Sequence, residues 1–289
     1  MENIYWAKVK SHKLKNTQWT LTGYSVAARS TGFYIPELKI ALDCGVPSSH
    51  SPDHIFITHG HLDHCGYLNN TILDINTNTN TNISINTNIF VPIISKNYFK
   101  DYIHHAFALT KNTALPKIHN KYNLIGVDGG EVITLKIKKM TYKINIIRCF
   151  HTVPCVAYGF SEVRTKLKPE FIGYPEHEII KLKSLGEEIT YSIEIPQFCF
   201  IGDTDERIFK NIIILEKFPT IIIECTFLYP EHEILAKKDK HMHWNKLENY
   251  IKMHPETTVI LIHFSARYTD TEIRKFFLDK LYDNIVVWI

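Results

Sequence analysis

The chain has no Cys-x-x-Cys pair; its six cysteines, Cys44, Cys65, Cys149, Cys155, Cys199 and Cys225, stand singly. Reduced thiols in an intracellular compartment are the expectation, with the cysteines acting as small buried hydrophobes. Long apolar runs are also missing. None approaches the length of a transmembrane helix, so no membrane partner is expected. The opening Met1-Glu-Asn-Ile-Tyr-Trp has no basic region followed by an apolar core, which points to the cytoplasm or nucleus rather than secretion. Net charge is low as well. A formal +3 over 289 residues is too little to mark a nucleic-acid binder by charge alone, though it leaves a local basic surface open.

What the chain does have is apolar residues, 45% of the total against 22% charged, enough for a sizeable core. It also has one dense polar hexapeptide, His59-Gly-His61-Leu-Asp63-His64, directly after the apolar run Ile55-Phe-Ile-Thr58. The run reads as a buried strand. In an extended loop His59 and His61 point to the same side and can share one ion. Asp63 and His64 follow a turn, open a helix and face a neighbouring point. That geometry suits two metals rather than one.

The same device recurs along the chain. Strands are expected over 18–28 and 38–42, with Gly32 and Pro36 marking the turn between them, and over 89–94, 131–138, 141–148, 197–201, 219–224, 257–262 and 285–289. Ser95 is expected to cap a helix running to about Leu109, and further helices are expected over 175–185, 245–253 and 271–281. Several strands end on a ligand-type residue: His151, Asp203, Glu224 and His263. Asp43, also at a strand end, is either an orienting partner for a liganding histidine or a simple turn residue. The tract 74–88 alternates Asn and Thr and is expected to be a solvated loop. Residues 164–189 gather Arg164, Lys166, Lys168, Lys181 and Lys183 around a helical segment, a candidate grip for a phosphate backbone. Interleaved glutamates make a solvated helix face an equal reading. The strand and ligand pattern needs no domain boundary, so one αββα domain is expected over 1–289: two mixed sheets face to face, with helices outside.

These residues resemble a family. The hexapeptide is that of the metallo-β-lactamase superfamily. His263-Phe-Ser265-Ala-Arg267-Tyr268, Glu224-Cys-Thr226 and the His241 segment narrow the resemblance to short-form tRNase Z, and His151-Thr-Val-Pro-Cys-Val-Ala-Tyr-Gly-Phe160 and Leu167-Lys-Pro-Glu-Phe171 to its plant-type members. The resemblance implies a homodimeric endoribonuclease with two zinc ions that removes the 3′ trailer of precursor tRNA. It implies His59, His61 and His151 on the first ion, Asp63, His64 and His263 on the second, and Asp203 bridging. Asp63, Glu224 and His241 would be the catalytic residues, with Glu224 and His241 protonating the leaving oxygen; His243 is the alternative to His241. Ser265 and Arg267 would bind a phosphate oxygen. A small-molecule hydrolase of the same superfamily is the competing activity. Bacterial members hold tRNA with a long Gly-Pro arm; the stretch between His151 and Asp203 has no Gly-Pro pair, which leaves residues 164–189 as the candidate replacement.

Overall fold

The computed structural model describes residues 9–47, 50–77, 87–112 and 122–289, and in it the chain builds one pattern twice. Strands β1 (Lys10–Lys13), β2 (Thr20–Val26), β3 (Ser30–Ile35) and β4 (Ile40–Leu42) form an antiparallel meander; β5 (His54–Phe56), β6 (Thr87–Pro92) and β7 (Tyr122–Val127) extend it in parallel. The second sheet repeats this with the antiparallel β8 (Val132–Ile137), β9 (Met140–Arg148), β10 (Val156–Leu167) and β11 (Thr190–Phe200), then the parallel β12 (Thr220–Glu224), β13 (Thr258–Ile262) and β14 (Ile285–Val287). The helices are α1 (Leu62–Cys65), α2 (Leu68–Thr77), α3 (Lys96–Lys111), α4 (Glu176–Ser184), α5 (Ile212–Leu215), α6 (Glu233–Asp239), α7 (Trp244–Met253) and α8 (Asp270–Leu278).

Burial follows from alternation. A parallel strand covered on both faces must be apolar throughout, and successive residues serve different layers. Phe56, Phe90, Ile222, Ile260 and Ile262 point between the sheets, into a core that also holds Leu14 and Trp288. Their neighbours Ile55, Ile57, Ile89 and Val91 meet Leu68, Ile72, Phe99 and Ile103 of the helices on one side. Ile221, Ile223, Val259 and Leu261 meet Trp244, Leu247, Ile251 and Phe277 on the other. The result is the expected four-layer αββα arrangement. All six cysteines are buried free thiols. No helix among the described residues is long and apolar enough to cross a membrane.

Several local expectations are corrected. Gly32 lies inside β3, not in a turn, because a Cβ there would stand 2.7 Å from the Val46 side chain and only glycine fits. Ser95 makes no cap bond; it closes a 3-10 turn, Ile93–Ser95, ahead of α3. The Asn/Thr tract is not all loop: 74–77 continue α2 and Thr87 and Asn88 open β6, where Thr87 is buried and donates to the Pro52 carbonyl at 3.2 Å. The tract's centre, 78–86, lies outside the described residues. Sequence reading gave no element to β1, β3, β7, β10, α5 or α6.

The two sheets are joined most tightly around Phe56, which stacks on Phe90 at 4.7 Å and meets Tyr158 and Phe160 of β10 edge-on at 5.1 and 5.0 Å. Phe56→Ala is expected to lower stability by about 3–5 kcal/mol, measured by urea unfolding of the purified variant.

Candidate metal centre

Six residues of the site sit where a strand stops, while Asp63 and His64 lie in α1 and His241 between α6 and α7. Asp43 follows β4, His59 follows β5, His151 follows β9, Asp203 follows β11, Glu224 ends β12 and His263 follows β13. Chain ends of parallel strands face one crevice, so residues remote in sequence converge there. The hexapeptide is clamped onto the end of β4: the Cys44 amide donates to the His64 carbonyl (2.7 Å), and the Tyr67 amide to the Cys44 carbonyl (2.8 Å). Gly45 makes this approach possible, since a Cβ there would lie 1.6 Å from the Asp63 carbonyl oxygen. Among the positions with the left-handed backbone unusual for side-chain-bearing residues are Asp43 (φ 59°) and His263 (φ 60°). His263 is held by its amide donating to Ser25 Oγ (3.0 Å).

Two donor groups meet at Asp203. In the first, His59 Nε2 and His151 Nε2 each lie 3.2 Å from His61 Nδ1, and Asp203 Oδ2 stands 3.7 and 3.9 Å from the His59 and His151 nitrogens. In the second, His64 Nε2 and His263 Nε2 are 3.2 Å apart, with Asp63 Oδ2 at 3.6 and 3.4 Å from them. Asp203 also faces this group, Oδ1 at 3.4 Å from His64 and Oδ2 at 3.5 Å from His263. The donor atoms of each group, His59–His61–His151–Asp203 and Asp63–His64–His263, lie within 4.8 Å of one another.

Hydrogen bonds on the far side of the rings show what the inner nitrogens offer. His64 Nδ1 is 2.7 Å from Asp43 Oδ2, and His151 Nδ1 is 3.1 Å from the Lys240 carbonyl. Both partners only accept, so each Nδ1 carries the proton and each Nε2 turns a lone pair inward. Thr58 Oγ1 donates to Asp43 Oδ2 (2.9 Å), which leaves its lone pair for His59 Nδ1–H at 3.0 Å. Thr226 Oγ1 donates to Glu224 and accepts from His263 Nδ1–H at 3.0 Å in the same way. Four inward lone pairs, each fixed by an outer partner, are the arrangement of metal-binding imidazoles, so the residues fit a metal pair. Charge agrees. Burial pushes His59, His61 and His151 below the usual imidazole range, which keeps them neutral. Burial would raise the Asp203 carboxyl, but His263, His64 and His59 outweigh it and hold the group well below the usual carboxylate range.

Glu224 is buried beside this pair. Its Oε1 accepts from the Thr204 amide (2.7 Å) and lies 3.0 Å from His241 Nδ1. Burial opposes a charged His241, but the Glu224 carboxylate prevails and the imidazole is pushed up to about 9. The His241 ring is 4.8 Å from that of His151 and 5.5 Å from that of His263. His243 is turned elsewhere: Nε2 faces the Tyr229 carbonyl at 2.9 Å and Nδ1 accepts from the Asn245 amide at 3.2 Å, capping α7. Ser265 Oγ accepts from Arg267 Nε at 3.0 Å, and the Arg267 guanidinium lies over the Phe227 ring at 5.3 Å.

The cations of 164–189 are not in this cluster. They lie on a ribbon of β10 and β11 that loses its β9 partner after Val163 and ends in α4, so an arm exists where the sequence suggested only a short segment. Its five cations are matched by Glu170, Glu176, Glu178, Glu187 and Glu188. Arg164 is bonded to Glu162 at 2.7 Å and Lys168 to Glu188 at 3.2 Å; Lys166, Lys181 and Lys183 are exposed. Sequence reasoning missed Thr58, Thr226, Gly45, Ser25 and the Lys240 carbonyl. It also missed the Ala28 amide, which donates to Asp63 Oδ2 at 2.9 Å.

No family model matches the chain. Among solved structures it is similar to the metallo-β-lactamase fold protein YhfI of Bacillus subtilis, with a TM-score of 0.59 and 13% identity over 91% of this chain and 93% of that one. It is similar also to the human short-form tRNase Z ELAC1, with a TM-score of 0.55 and 16% identity over 92% and 95%. The architecture is therefore the metallo-β-lactamase fold. In sequence the chain is 31% identical over 260 residues to tRNase Z TRZ1 of Arabidopsis thaliana, covering 88% of each, and 29% identical over 284 residues to the chloroplastic tRNase Z TRZ2 of the same plant, covering 93% of this chain and 74% of that one. The chain belongs to the tRNase Z family.

Asp43→Asn keeps the shape but replaces the acceptor facing His64 Nδ1 with an amide. It is expected to weaken metal binding roughly 10- to 100-fold, read by chelator competition at unchanged circular dichroism. Gly45→Ala is expected to displace the hexapeptide and leave protein purified with a substoichiometric metal content.

Proposed function

We propose that this chain is a zinc-dependent endoribonuclease that releases the 3′ trailer of precursor tRNA, leaving a 3′-hydroxyl on the tRNA and a 5′-phosphate on the trailer. The observation that carries the reading is the single buried carboxylate, Asp203, shared between two imidazole groups, with Glu224 and His241 paired at 3.0 Å beside it. Family membership supports the substrate, since the relatives are named for tRNA processing.

Imidazole and carboxylate donors suit zinc. His59, His61 and His151 would hold one ion, Asp63, His64 and His263 the second, with Asp203 between them. Two such ions, when bound, supply a water acidic enough to attack at neutral pH and positive charge against the phosphate of the transition state. The protein's own residues do the rest. His241, kept protonated by Glu224, delivers a proton to the departing oxygen as the phosphodiester breaks. Glu224 is fixed by the Thr204 amide and the Thr226 hydroxyl, so it orients the ring without moving. Ser265 and Arg267 hold a phosphate oxygen, with Phe227 fixing the guanidinium plane. Lys166, Lys181 and Lys183 on the exposed arm meet the tRNA backbone at a distance from the cut, with Arg164 and Lys168 beside them. We further propose that residues 1–289 act as one domain within a homodimer, in the cytoplasm or nucleus.

The test is incubation of the purified, zinc-loaded protein with precursor tRNA and mapping of both product ends. Release of a 5′-phosphorylated trailer is expected; no release removes the reading. Asp203→Ala is expected to abolish cleavage. Glu224→Ala or His241→Ala is expected to slow single-turnover cleavage by roughly 10²- to 10⁴-fold with zinc content near wild type. Loss of zinc from these two variants would make the residues ligands rather than a proton-delivering pair.

A further inference from the structure

Beside the hexapeptide lies a cleft of about 420 Å³ that the chemistry above does not use. Its walls are Leu62, Ile94, Tyr98, Phe99, Tyr102 and Pro154, and none of the residues lining it carries a charge. A cavity of this size and polarity is within the range of small-molecule sites. Large side chains stand open to solvent here, Tyr98 at 77% and Leu62 and Ile94 at 69% each, a cost a surface seldom carries without a partner. The walls are nonetheless fixed. Phe99 is buried against Ile103 and Phe107 of the helical layer, and the Tyr102 hydroxyl donates to the Gly66 carbonyl at 2.9 Å.

Position says what the partner is. Gly60, between the ligand-type residues His59 and His61, lines the cleft, and so do Val153 and Pro154, two and three residues beyond His151. The cleft is therefore bounded by the loops that carry His59, His61 and His151. A second cavity of about 390 Å³ shares Ile94, Val153 and Pro154 with it and is lined by three cations, Arg148, Arg207 and Lys240, against one carboxylate, Asp128. These cations are ordered. Arg207 is bonded to Asp205 at 2.8 Å and lies over the Phe150 ring at 4.9 Å, Arg148 reaches Asp128 at 3.3 Å, and Lys240 donates to the His151 carbonyl at 3.2 Å. An uncharged aromatic slot next to a cationic slot, both abutting the ligand residues, matches a polynucleotide: flat apolar bases joined by anionic phosphates.

Resting on the nuclease reading, we infer that this aromatic slot receives the nucleobase of a nucleotide flanking the scissile phosphodiester, stacked on Tyr98, while the adjoining phosphate turns toward Arg148, Arg207 and Lys240. The slot makes stacking contacts only, so it tolerates any base and places the strand rather than reading it. Tyr98 is a substrate-positioning residue with no part in bond breaking.

The experiment uses zinc-loaded full-length protein and precursor tRNA carrying 2-aminopurine at each nucleotide flanking the cut in turn. Fluorescence quenching on binding reports stacking whether or not cleavage follows. Quenching is expected at one of the flanking positions, lost in Tyr98→Ala and kept in Tyr98→Phe. Tyr98→Ala is also expected to raise KM roughly 10- to 100-fold with zinc content unchanged. An abasic nucleotide at the same position should cost wild type the same factor and add nothing to Tyr98→Ala. Unchanged quenching in Tyr98→Ala overturns the assignment, as do independent, multiplying effects of the two changes. Conversion of a dimer to a monomer by Tyr98→Ala also overturns it, by making the cleft a subunit contact. Quenching without trailer release would instead remove the cleavage reading and leave the slot standing.

Discussion

A carboxylate buried as deeply as that of Asp203 is costly unless positive charge stands opposite it. The imidazoles that would hold that charge in place come from both halves of the chain: His59 and His64 from the first sheet, His151 and His263 from the second. The same imidazoles have a demand of their own, since lone pairs 3.2 Å apart repel unless a cation lies between them. Site and fold are thus one electrostatic problem with one solution. Cations bound at this point would tie the sheets together, and their binding free energy would count toward folding.

Rigidity comes from the ring of partners outside the donors. Asp43 illustrates how. Its carboxylate takes the Thr58 amide and hydroxyl and the His64 ring at once, while the Thr58 hydroxyl passes its lone pair to His59. One side chain at the end of β4 therefore fixes the tautomers of two rings that serve different donor groups. Glu224 and Thr226 do the corresponding work for His241 and His263.

Much of this was legible in the residues. Uninterrupted apolar runs such as Ile55–Ile57 and Ile221–Ile223 announce strands covered on both faces, and ligand-type residues at their ends announce a shared crevice. The outer partners were less legible. A threonine before a histidine has no distinctive spacing, and the part played by Gly45 depends on how closely the Asp63 carbonyl passes it, which only tertiary structure sets. His241 and His243 are equivalent in sequence; what separates them is the start of α7, which takes the His243 ring as its cap. The arm was misjudged because its length lies in the strands β10 and β11, whose outer parts are polar and exposed and so carry no apolar run to mark them as strands.

The doubled meander-and-parallel plan has a temporal corollary. A domain generally folds as a unit, so its chain must have emerged before it closes. The hexapeptide appears early, with the first sheet, yet the last imidazole of its second donor group, His263, is some two hundred residues downstream. Until then the early histidines are ordinary wet side chains, and a truncated translation product has half a claw and no grip. The second donor group is thereby complete only when the second sheet closes.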